Sequence, residues 1–359
     1  MSESGIPQGW RRAALAPPRA FGAPSARALL KAGPGDFRVE ERLSFTPDGG
    51  QAHRLLRVEK ADANTLFVAR VLARAAGLRP HDVGFAGLKD RRAVAIQWFS
   101  LPAGRDTEGL AGFEGPGFRV LEVQPHSRKL RRGALSGNRF RIVLRELTGD
   151  LDEVQRRLAA IEARGVPNYF GPQRFGREAA NLDAVHAWLA DGRLPGGREE
   201  RAFVLSAARS LAFNAVLAAR VEAGSWDRLL PGEVVNLDGS GSVFVASGID
   251  ADLERRAAEF DVHPTGPLPG SGGVRPDGEA GLAESAALSP LAALTAALDQ
   301  AGAEAARRPL RVRPASLQSA IEDGCLVLDF DLPRGAFATT LLAEVVSCEL
   351  DAAGDDGSG

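Results

Sequence analysis

The order in which strand-like and helix-like segments follow one another constrains the fold of this chain most. Short alternating segments typical of strands fill much of residues 28–179 and return after Arg308, whereas helical periodicity dominates between them. One domain built from both strand-rich parts is the most economical arrangement. The sequence therefore predicts an α/β (α+β) fold in which a strand-rich domain, 28–179 and 312–350, is interrupted by a helix-rich insertion, 180–311.

Both chain ends and one internal segment lack a regular pattern. Residues 1–27 are rich in Pro, Ala, Arg and Gly without periodicity, which predicts a disordered arm, and 351–359 are predicted to be a disordered tail. The segment HPTGPLPGSGGVRPDGEAG, residues 263–281, has too much Gly and Pro for a regular element. By contrast, Asn64 is predicted to cap a helix that Gly77 ends.

Charge is distributed unevenly along the 359 residues, although the formal net charge is only -2. Residues 1–180 hold 30 Lys+Arg and 19 Asp+Glu, whereas 181–359 hold 14 and 27. This asymmetry predicts a polyanion-binding N-terminal half. No apolar run approaches the roughly 18 residues that cross a bilayer, and the N-terminus has no signal-peptide core, so we expect a cytoplasmic protein with no membrane contact.

Several reaction classes have no support in the sequence. The P-loop, H-E-x-x-H, G-x-S-x-G and G-x-G-x-x-G motifs are all missing, and the five histidines are scattered. The two cysteines, Cys325 and Cys348, do not form a metal-binding pair. These gaps argue against ATP, zinc and serine hydrolysis.

A single carboxylate, Asp90, is the main candidate for chemistry. It lies in GFAGLKDRR, where glycines permit close approach of a ligand and Lys89, Arg91 and Arg92 favour the ionised form. An ionised Asp can attack an electrophilic carbon without a separate base. The alternative is that Asp90 caps a turn and pairs with Arg91 or Arg92.

A basic segment, residues 125–145, carries seven Lys and Arg and no acid. Two strands, FRVLEVQPH and NRFRIVLREL, flank it and are predicted to form a hairpin. Arginine forks on a hairpin suit phosphate oxygens, and a solvated strand edge is the alternative. The predicted RNA-backbone contacts are Arg128, Lys129, Arg131 and Arg132.

The irregular segment VPNYFGPQRFG combines aromatic rings with an amide and an arginine. Asn168, Tyr169, Phe170, Arg174 and Phe175 have the chemistry that a pocket for an extruded base needs, namely stacking surfaces and hydrogen bonds. Core packing of the two Phe rings is the alternative.

Together these segments resemble the tRNA pseudouridine synthase D (TruD) family. The resemblance runs from about residue 28 to 350 through seven motifs in the same order. They are KAGPGDFRVEE, VEKADANTLFVARVLA, GFAGLKDRRAVAIQWFSLP, VPNYFGPQRFG, SAARSLAFN, HPTGPL and LPRGAFATTLL.

The resemblance implies a pseudouridine synthase core with a central mixed, mainly antiparallel sheet and a helix-rich TRUD insertion domain. It also implies isomerisation of a tRNA uridine at position 13, with tRNA of the Glu type as partner, no obligatory protein partner, and neither cofactor nor metal. Asp90 matches the nucleophile, and Lys31 is a candidate basic partner for it. The residues that match substrate-binding positions are Phe37, Asn168, Phe170 and Phe337.

Four positions depart from the family pattern, one of them Gly35, which replaces an acid before Asp36. Arg92 stands where a His is expected, Ala95 where a hydroxyl residue is expected, and Ala343 where an Arg usually precedes the Glu. Two other functions stay open, a non-catalytic RNA-binding or chaperone protein and a synthase that acts on another RNA site. In the acidic insertion, possible RNA contacts are Arg209, Arg220 and Arg228; packing against the core is the alternative.

Overall fold

The computed structural model describes residues 5–89, 91 and 93–350. The strands are β1 (Arg27–Leu30), β2 (Phe37–Leu43), β3 (His53–Lys60), β4 (Gly84–Phe85), β5 (Val94–Pro102), β6 (Glu114–Gly115), β7 (Phe118–His126), β8 (Leu135–Thr148), β9 (Val166–Pro167), β10 (Glu233–Leu237), β11 (Val243–Ala246), β12 (Val262–Leu268), β13 (Ala306–Pro309), β14 (Arg311–Val312), β15 (Ala315–Glu322), β16 (Cys325–Pro333) and β17 (Ser347–Leu350). The α-helices are α1 (Gln8–Leu15), α2 (Thr65–Ala75), α3 (Arg105–Glu108), α4 (Leu151–Arg164), α5 (Ala180–Asp191), α6 (Arg198–Glu222), α7 (Ala251–Ala258), α8 (Gly278–Leu288), α9 (Ala292–Gln300) and α10 (Ala338–Val345).

These elements group into two compact units, which we call the sheet unit and the helical unit. The sheet unit comprises Ser25–Glu153, Pro314–Gly335 and Val346–Gly359, and the helical unit comprises Met1–Pro24, Val154–Arg313 and Ala336–Val345. The boundaries of the units differ from the predicted domain boundaries, most on the N-terminal side of the insertion.

The sheet unit contains a large mixed sheet with the strand order β15-β16-β8-β2-β5-β3-β7-β6. Strand β1 pairs with β8 and β17, and β4 pairs with β5. Only β2–β5 and β1–β17 are parallel among the strand pairs of the described residues. The predicted fold class, mixed α/β with a mainly antiparallel sheet, is confirmed.

Helix α2 covers one face of this sheet with the stripe that its sequence predicts. Val68, Ala69 and Leu72 are buried against strand residues that include Leu56 and Phe99. Asn64 Oδ1 accepts a hydrogen bond from Phe67 N–H at 2.7 Å, and Gly77 has a φ of 64°, so the predicted cap and stop are both confirmed.

The basic segment does not form the predicted hairpin. Strand β7 pairs with β3 and β6, whereas β8 pairs with β2, β16 and β1. Other strands therefore separate β7 from β8. The prediction was wrong because nearness in sequence does not fix pairing within a large sheet. Residues 127–134 form a connection between distant strands, which we call the basic link.

The helical unit is organised around α6, whose buried positions include Ala207, Leu211, Phe213 and Leu217. A four-stranded sheet, β11-β10-β12-β13, and the short pair β9–β14 complete its secondary structure. Helix α6 and the segment Gly278–Gln300 are long and apolar enough to cross a membrane by length and composition alone. The apolar window of α6 is 56% buried, as in the core helix of a folded domain.

Parts of two segments that were predicted to be irregular or disordered form regular elements, whereas residues 269–277 lie outside helices and strands as predicted. Strand β12 lies between β10 and β13, although its prolines have no N–H to donate. Their carbonyls can still accept hydrogen bonds, as the Pro264 carbonyl does from Leu310 N–H at 2.9 Å. Helix α1 falls within the predicted arm, yet Trp10, Ala13 and Ala14 are buried in the core of the helical unit. Burial of these apolar side chains stabilises the helix, although the composition of the surrounding segment does not favour regular structure. The predicted tail, 351–359, lies outside the described residues.

Candidate active site

The candidate site is built around the loop that carries Asp90. Asp90 and Arg92 themselves lie outside the described residues. At the start of the loop, a Cβ on Gly84 would lie 2.4 Å from both the Leu130 carbonyl oxygen and Ser100 Oγ, so only glycine fits there. Ser100 Oγ also accepts a hydrogen bond from Leu130 N–H at 2.8 Å. These contacts fix the beginning of the loop against β5 and the basic link.

Lys89, which directly precedes Asp90, is held by both its main chain and its side chain. Its N–H donates to Thr65 Oγ1 at 3.0 Å, and its Nζ donates to Asn138 Oδ1 at 2.8 Å. Nζ also lies 2.9 Å from Glu41 Oε1 in an ion pair with a fully buried carboxylate. Burial raises the pKa of the Glu41 carboxyl, and the Lys89 ammonium opposes that shift.

The two described cations beside Asp90, Lys89 and Arg91, each pair with a carboxylate. Lys89 pairs with Glu41, and Arg91 Nε donates to Asp62 Oδ1 at 2.9 Å. Lys89 and Arg91 therefore contribute ion pairs to this region, not the unbalanced positive charge that the sequence predicts. The alternative pairing of Asp90 with Arg91 stays open, because Asp90 lies outside the described residues.

Lys31 and Phe37, two predicted site residues of the sheet unit, contact each other. Lys31 Nζ lies 4.9 Å from the centroid of the Phe37 ring. The ring is nearly buried and packs edge-on against Phe140, with the centroids 6.0 Å apart. Lys31 adopts a φ of 61°, which is uncommon for a side chain of this kind. Its pairing with Asp90 stays a prediction.

In the helical unit, the Asn168 amide is oriented by hydrogen bonds to β13. Its Nδ2 donates to the Pro309 carbonyl at 2.9 Å, and its Oδ1 accepts from Arg308 Nη2 at 2.6 Å. One N–H and one lone pair of the amide remain after these bonds. Asn168 is only 7% exposed, so recognition of a base edge by these two groups requires a local rearrangement.

Phe170 is surrounded by two rings and two guanidinium groups. Its centroid lies 5.4 Å from that of Phe213 and 6.2 Å from that of Phe337, both in edge-on arrangements. The guanidinium carbons of Arg308 and Arg174 lie 4.2 and 5.5 Å from the centroid. Phe170 is only 7% exposed and belongs to the core, so stacking on a base requires a local rearrangement.

Asn214, the last residue of the motif SAARSLAFN, fixes the Asn-Tyr-Phe-Gly loop. Asn214 Oδ1 accepts from Phe170 N–H at 2.9 Å, and its Nδ2 donates to the carbonyls of Phe170 and Ala13, both at 3.0 Å. The Tyr169 hydroxyl donates to the Pro18 carbonyl at 3.1 Å. Burial raises the pKa of Tyr169 well above its ordinary value, so the hydroxyl stays protonated.

Arg308, which contacts Asn168 and Phe170 within the helical unit, is a residue that the sequence analysis missed. It lies 140 positions after Asn168, in a strand without a distinctive motif, so no local signal marks it. Burial and the neighbouring Arg174 lower its pKa to about 9. Arg174 donates to Ser206 Oγ at 3.3 Å, and its buried Nε has no acceptor among the residues that the structure describes.

The basic link presents exposed cations without carboxylate partners. Lys129 Nζ donates to the His81 carbonyl at 2.6 Å, and the Arg132 guanidinium lies 5.1 Å from the Phe85 centroid. Within the described ranges, neither these two residues nor Arg128 and Arg131 form an ion pair with an acid. These four cations are exposed, and their contact with the RNA backbone stays a prediction.

The arginines proposed as contacts in the insertion are not equivalent. Arg220 is 4% exposed and donates to Glu233 Oε2 at 3.0 Å, so its prediction as an RNA contact is wrong. It is buried because the ion pair and the carbonyls of Ser225 and Arg228 satisfy its donors. Arg209 donates to main-chain carbonyls, whereas the Arg228 side chain is exposed.

Two of the departures from the family pattern lie in different surroundings. Ala95 is fully buried in β5, opposite Val39 of β2, so a hydroxyl there would be shielded from solvent. Ala343 lines a cavity of about 150 Å³ with Tyr169 and Phe170. No group of three His, Cys, Asp or Glu side chains among the described residues is placed to hold a metal ion.

Comparison with known proteins agrees with this geometry. The fold matches a crystal structure assigned to tRNA pseudouridine synthase D from Methanosarcina mazei with a TM-score of 0.70 and 21% identity, covering 95% of this chain and 98% of that one. The mixed sheet with its accompanying helices is therefore a fold already seen in a solved structure.

Relatives with much higher identity define the family. A tRNA pseudouridine synthase D from Methylococcus capsulatus is 45% identical, covering 92% of this chain and 94% of its own length. Another, from Nitrosococcus oceani, is 46% identical over 90% of this chain and 91% of its own length. The sequence profile of the family, tRNA pseudouridine synthase D (TruD), matches residues 20–196 and 198–345. The chain belongs to the TruD family, which makes it a pseudouridine synthase and confirms the resemblance.

Proposed function

We propose that this protein isomerises the uridine at position 13 of a tRNA, of the Glu type, to pseudouridine in the cytoplasm. Family membership supports the reaction class, and the names of the relatives support tRNA as substrate. The observation that carries the assignment to this chain is the anchored loop: Lys89 is held at the position next to Asp90 by Thr65, Asn138 and Glu41.

The chemistry begins when the target uridine leaves the RNA stack, at a cost of a few kcal/mol that stacking and backbone contacts offset. The Asp90 carboxylate then promotes cleavage of the bond between C1' and N1, either by attack on C1' or through a glycal. The detached uracil rotates, C5 bonds to C1', and C5 loses its proton. The protein must hold the free base during rotation, since its escape would leave an abasic site.

The other predicted residues have supporting roles in this proposal. Asn168 offers one remaining donor and one remaining acceptor to the uracil edge, and Phe37, Phe170 and Phe337 supply apolar surface. Lys31 is the proposed basic partner of Asp90. The cations of the basic link are proposed to contact phosphates.

The isosteric variant Asp90→Asn tests the proposal directly. We expect it to abolish pseudouridine formation, because an amide is a poor nucleophile, while tRNA affinity stays within about tenfold of wild type. Release of tritium from C5 of uridine measures turnover, and filter binding measures affinity. Normal turnover by the variant would refute the role of Asp90.

Two further measurements separate the competing functions. A wild-type protein that binds tRNA without releasing C5 tritium would be an RNA chaperone. Mapping of pseudouridine in RNA from cells that lack the gene identifies the target, and loss at a site other than position 13 would keep the chemistry but change the substrate.

A further inference from the structure

The main chain that leads to Asp90 is held by a continuous set of hydrogen bonds through two buried side chains. Thr65 Oγ1 accepts from Lys89 N–H at 3.0 Å and donates to Gln97 Oε1 at 2.9 Å. Gln97 Nε2 in turn donates to the Gly87 carbonyl at 2.6 Å. Two neighbouring points of the loop, Gly87 and Lys89, are thus joined through two side chains from α2 and β5.

These side chains are inaccessible to solvent, which makes their partners specific. Gln97 is fully buried and Thr65 is 1% exposed. A buried polar group that loses its partner costs about 1–3 kcal/mol, so each of these side chains strongly favours the arrangement in which its bonds are made. Solvent cannot replace the loop as the partner.

Glu41 holds the Lys89 side chain and also belongs to this network, because its carboxyl hydrogen-bonds the Gln97 side chain. Its Oε2 accepts from Trp98 N–H at 3.0 Å, which fixes the carboxylate to β5, and its Oε1 lies 2.9 Å from Lys89 Nζ. The side chain of Glu41 is fully buried and that of Lys89 is 11% exposed. The main chain and the side chain of the residue before Asp90 are therefore held by separate contacts.

We propose that Thr65, Gln97 and Glu41 are positioning residues that fix the Gly87–Lys89 main chain and thereby place the Asp90 carboxylate for attack. This inference rests on the proposed role of Asp90. A displacement of about 1 Å in a reacting group can cost roughly a hundredfold in rate. None of the three residues needs to contact RNA, so their loss should lower kcat and leave binding intact.

The variant Thr65→Val removes the hydroxyl with little change of shape, and Thr65→Ser restores it. We expect the Val variant to lower kcat about 10- to 100-fold, with KM and tRNA affinity within about twofold of wild type. The Ser variant should recover most of the rate. A merely structural role would not give this combination of a kcat effect and rescue by the hydroxyl.

Thr107 provides a matched control in the same unit. Its hydroxyl is also buried, and it exchanges two hydrogen bonds with the Gly104 N–H and carbonyl inside its own turn. Thr107→Val loses as many bonds as Thr65→Val, but none to the loop, so it should keep the wild-type kcat. Glu41→Gln removes the negative charge that pairs with Lys89. Its matched control is Glu40→Gln, because the neighbouring Glu40 pairs with Arg57 and not with Lys89.

Hydrogen–deuterium exchange tests the positioning without relying on activity. The Lys89 amide and its neighbours should exchange at least tenfold faster in Thr65→Val than in wild type and Thr107→Val. Unchanged exchange together with unchanged kcat would overturn the positioning role. If the wild type is inactive but Thr65→Val still exchanges faster, the proposed function is refuted and the anchoring of the loop is kept. An equal loss of kcat in Thr107→Val would show a general effect on stability and would overturn the inference.

Discussion

The arginine side chains of the basic link, in the sheet unit, are exposed, whereas several arginines of the helical unit are buried. In the basic link, Arg128, Arg131 and Arg132 are exposed and have no acidic partner among the described residues. In the helical unit, Arg220 and Arg311 are 4% and 5% exposed, and their donors are used inside the protein. Exposure and available donors, not the number of positive charges, therefore distinguish candidate RNA contacts from structural cations.

Arg311 shows how much of a guanidinium the protein can use internally. It donates to the Val262 carbonyl at 3.0 Å, to the Asp227 carbonyl at 3.1 Å and to His263 Nδ1 at 3.1 Å. Burial lowers its pKa to about 10, which still leaves it charged at neutral pH. The planar fork with five donors makes this role specific to arginine.

The largest effect should come from breaking the buried pair between Arg220 and Glu233. Arg220→Met leaves the buried Glu233 carboxylate unpaired, so we expect a loss of about 3–5 kcal/mol in the free energy of unfolding, measured with urea. The double variant with Glu233→Leu should recover part of this loss. A variant of unchanged stability and weakened tRNA binding would show that Arg220 is an RNA contact after all.

Removing the charges of the basic link should weaken tRNA binding without affecting the fold. In Arg128→Gln/Arg131→Gln/Arg132→Gln, we expect the slope of log affinity against log salt to fall by about one for each phosphate that the protein no longer neutralises. Titrations of tRNA at several salt concentrations measure this slope. An unchanged slope would show that these arginines do not neutralise phosphates and would favour the alternative, a solvated strand edge.

Arg308 should affect the reaction more than RNA affinity. Arg308→Met removes the hydrogen bond to Asn168 Oδ1 and the guanidinium over Phe170, which leaves the amide held only by its bond to the Pro309 carbonyl. We expect about a tenfold lower kcat, on the basis of a hydrogen bond to a charged group worth roughly 1.5–3 kcal/mol. Tritium release measures the rate, while the salt slope of tRNA binding should match that of wild type. A lower slope would instead place a phosphate at Arg308.

The smallest effect is expected at Arg141, which lies in the basic segment but outside the link. Its guanidinium lies 2.6 Å from Asp329 and is more than half exposed. Arg141→Gln should lower the free energy of unfolding by less than about 1 kcal/mol and leave the tRNA salt slope unchanged. A reduced slope equal to that of a link variant would remove the distinction between paired and unpaired arginines.

The sequence predicted local structure well where a pattern had a single physical explanation. The apolar stripe of α2, the cap at Asn64 and the stop at Gly77 depend on neighbouring residues, and all are present. The motifs also identified the family. Strand pairing was harder, because β7 and β8 are adjacent in sequence but pair with different strands.

Long-range contacts explain most of what the sequence did not reveal about the site. Arg308 contacts Asn168 across 140 residues, and Glu41 of β2 contacts Lys89 of the loop before β5, so neither pair has a spacing that could be recognised. The order in α1 was likewise hidden, since Trp10 and Ala14 become buried only when α6 is in place. Local composition alone could not show these partners.

Helix α1 also has a practical meaning for anyone who produces this protein. The family profile begins at residue 20, yet the Ala13 and Pro18 carbonyls accept hydrogen bonds from Asn214 and Tyr169. A gene shortened to the region that the profile matches would lack the buried Trp10 and both of these carbonyl acceptors, which support the loop that holds Phe170. Expression designs should therefore retain the leading helix and place affinity tags where they do not disturb it.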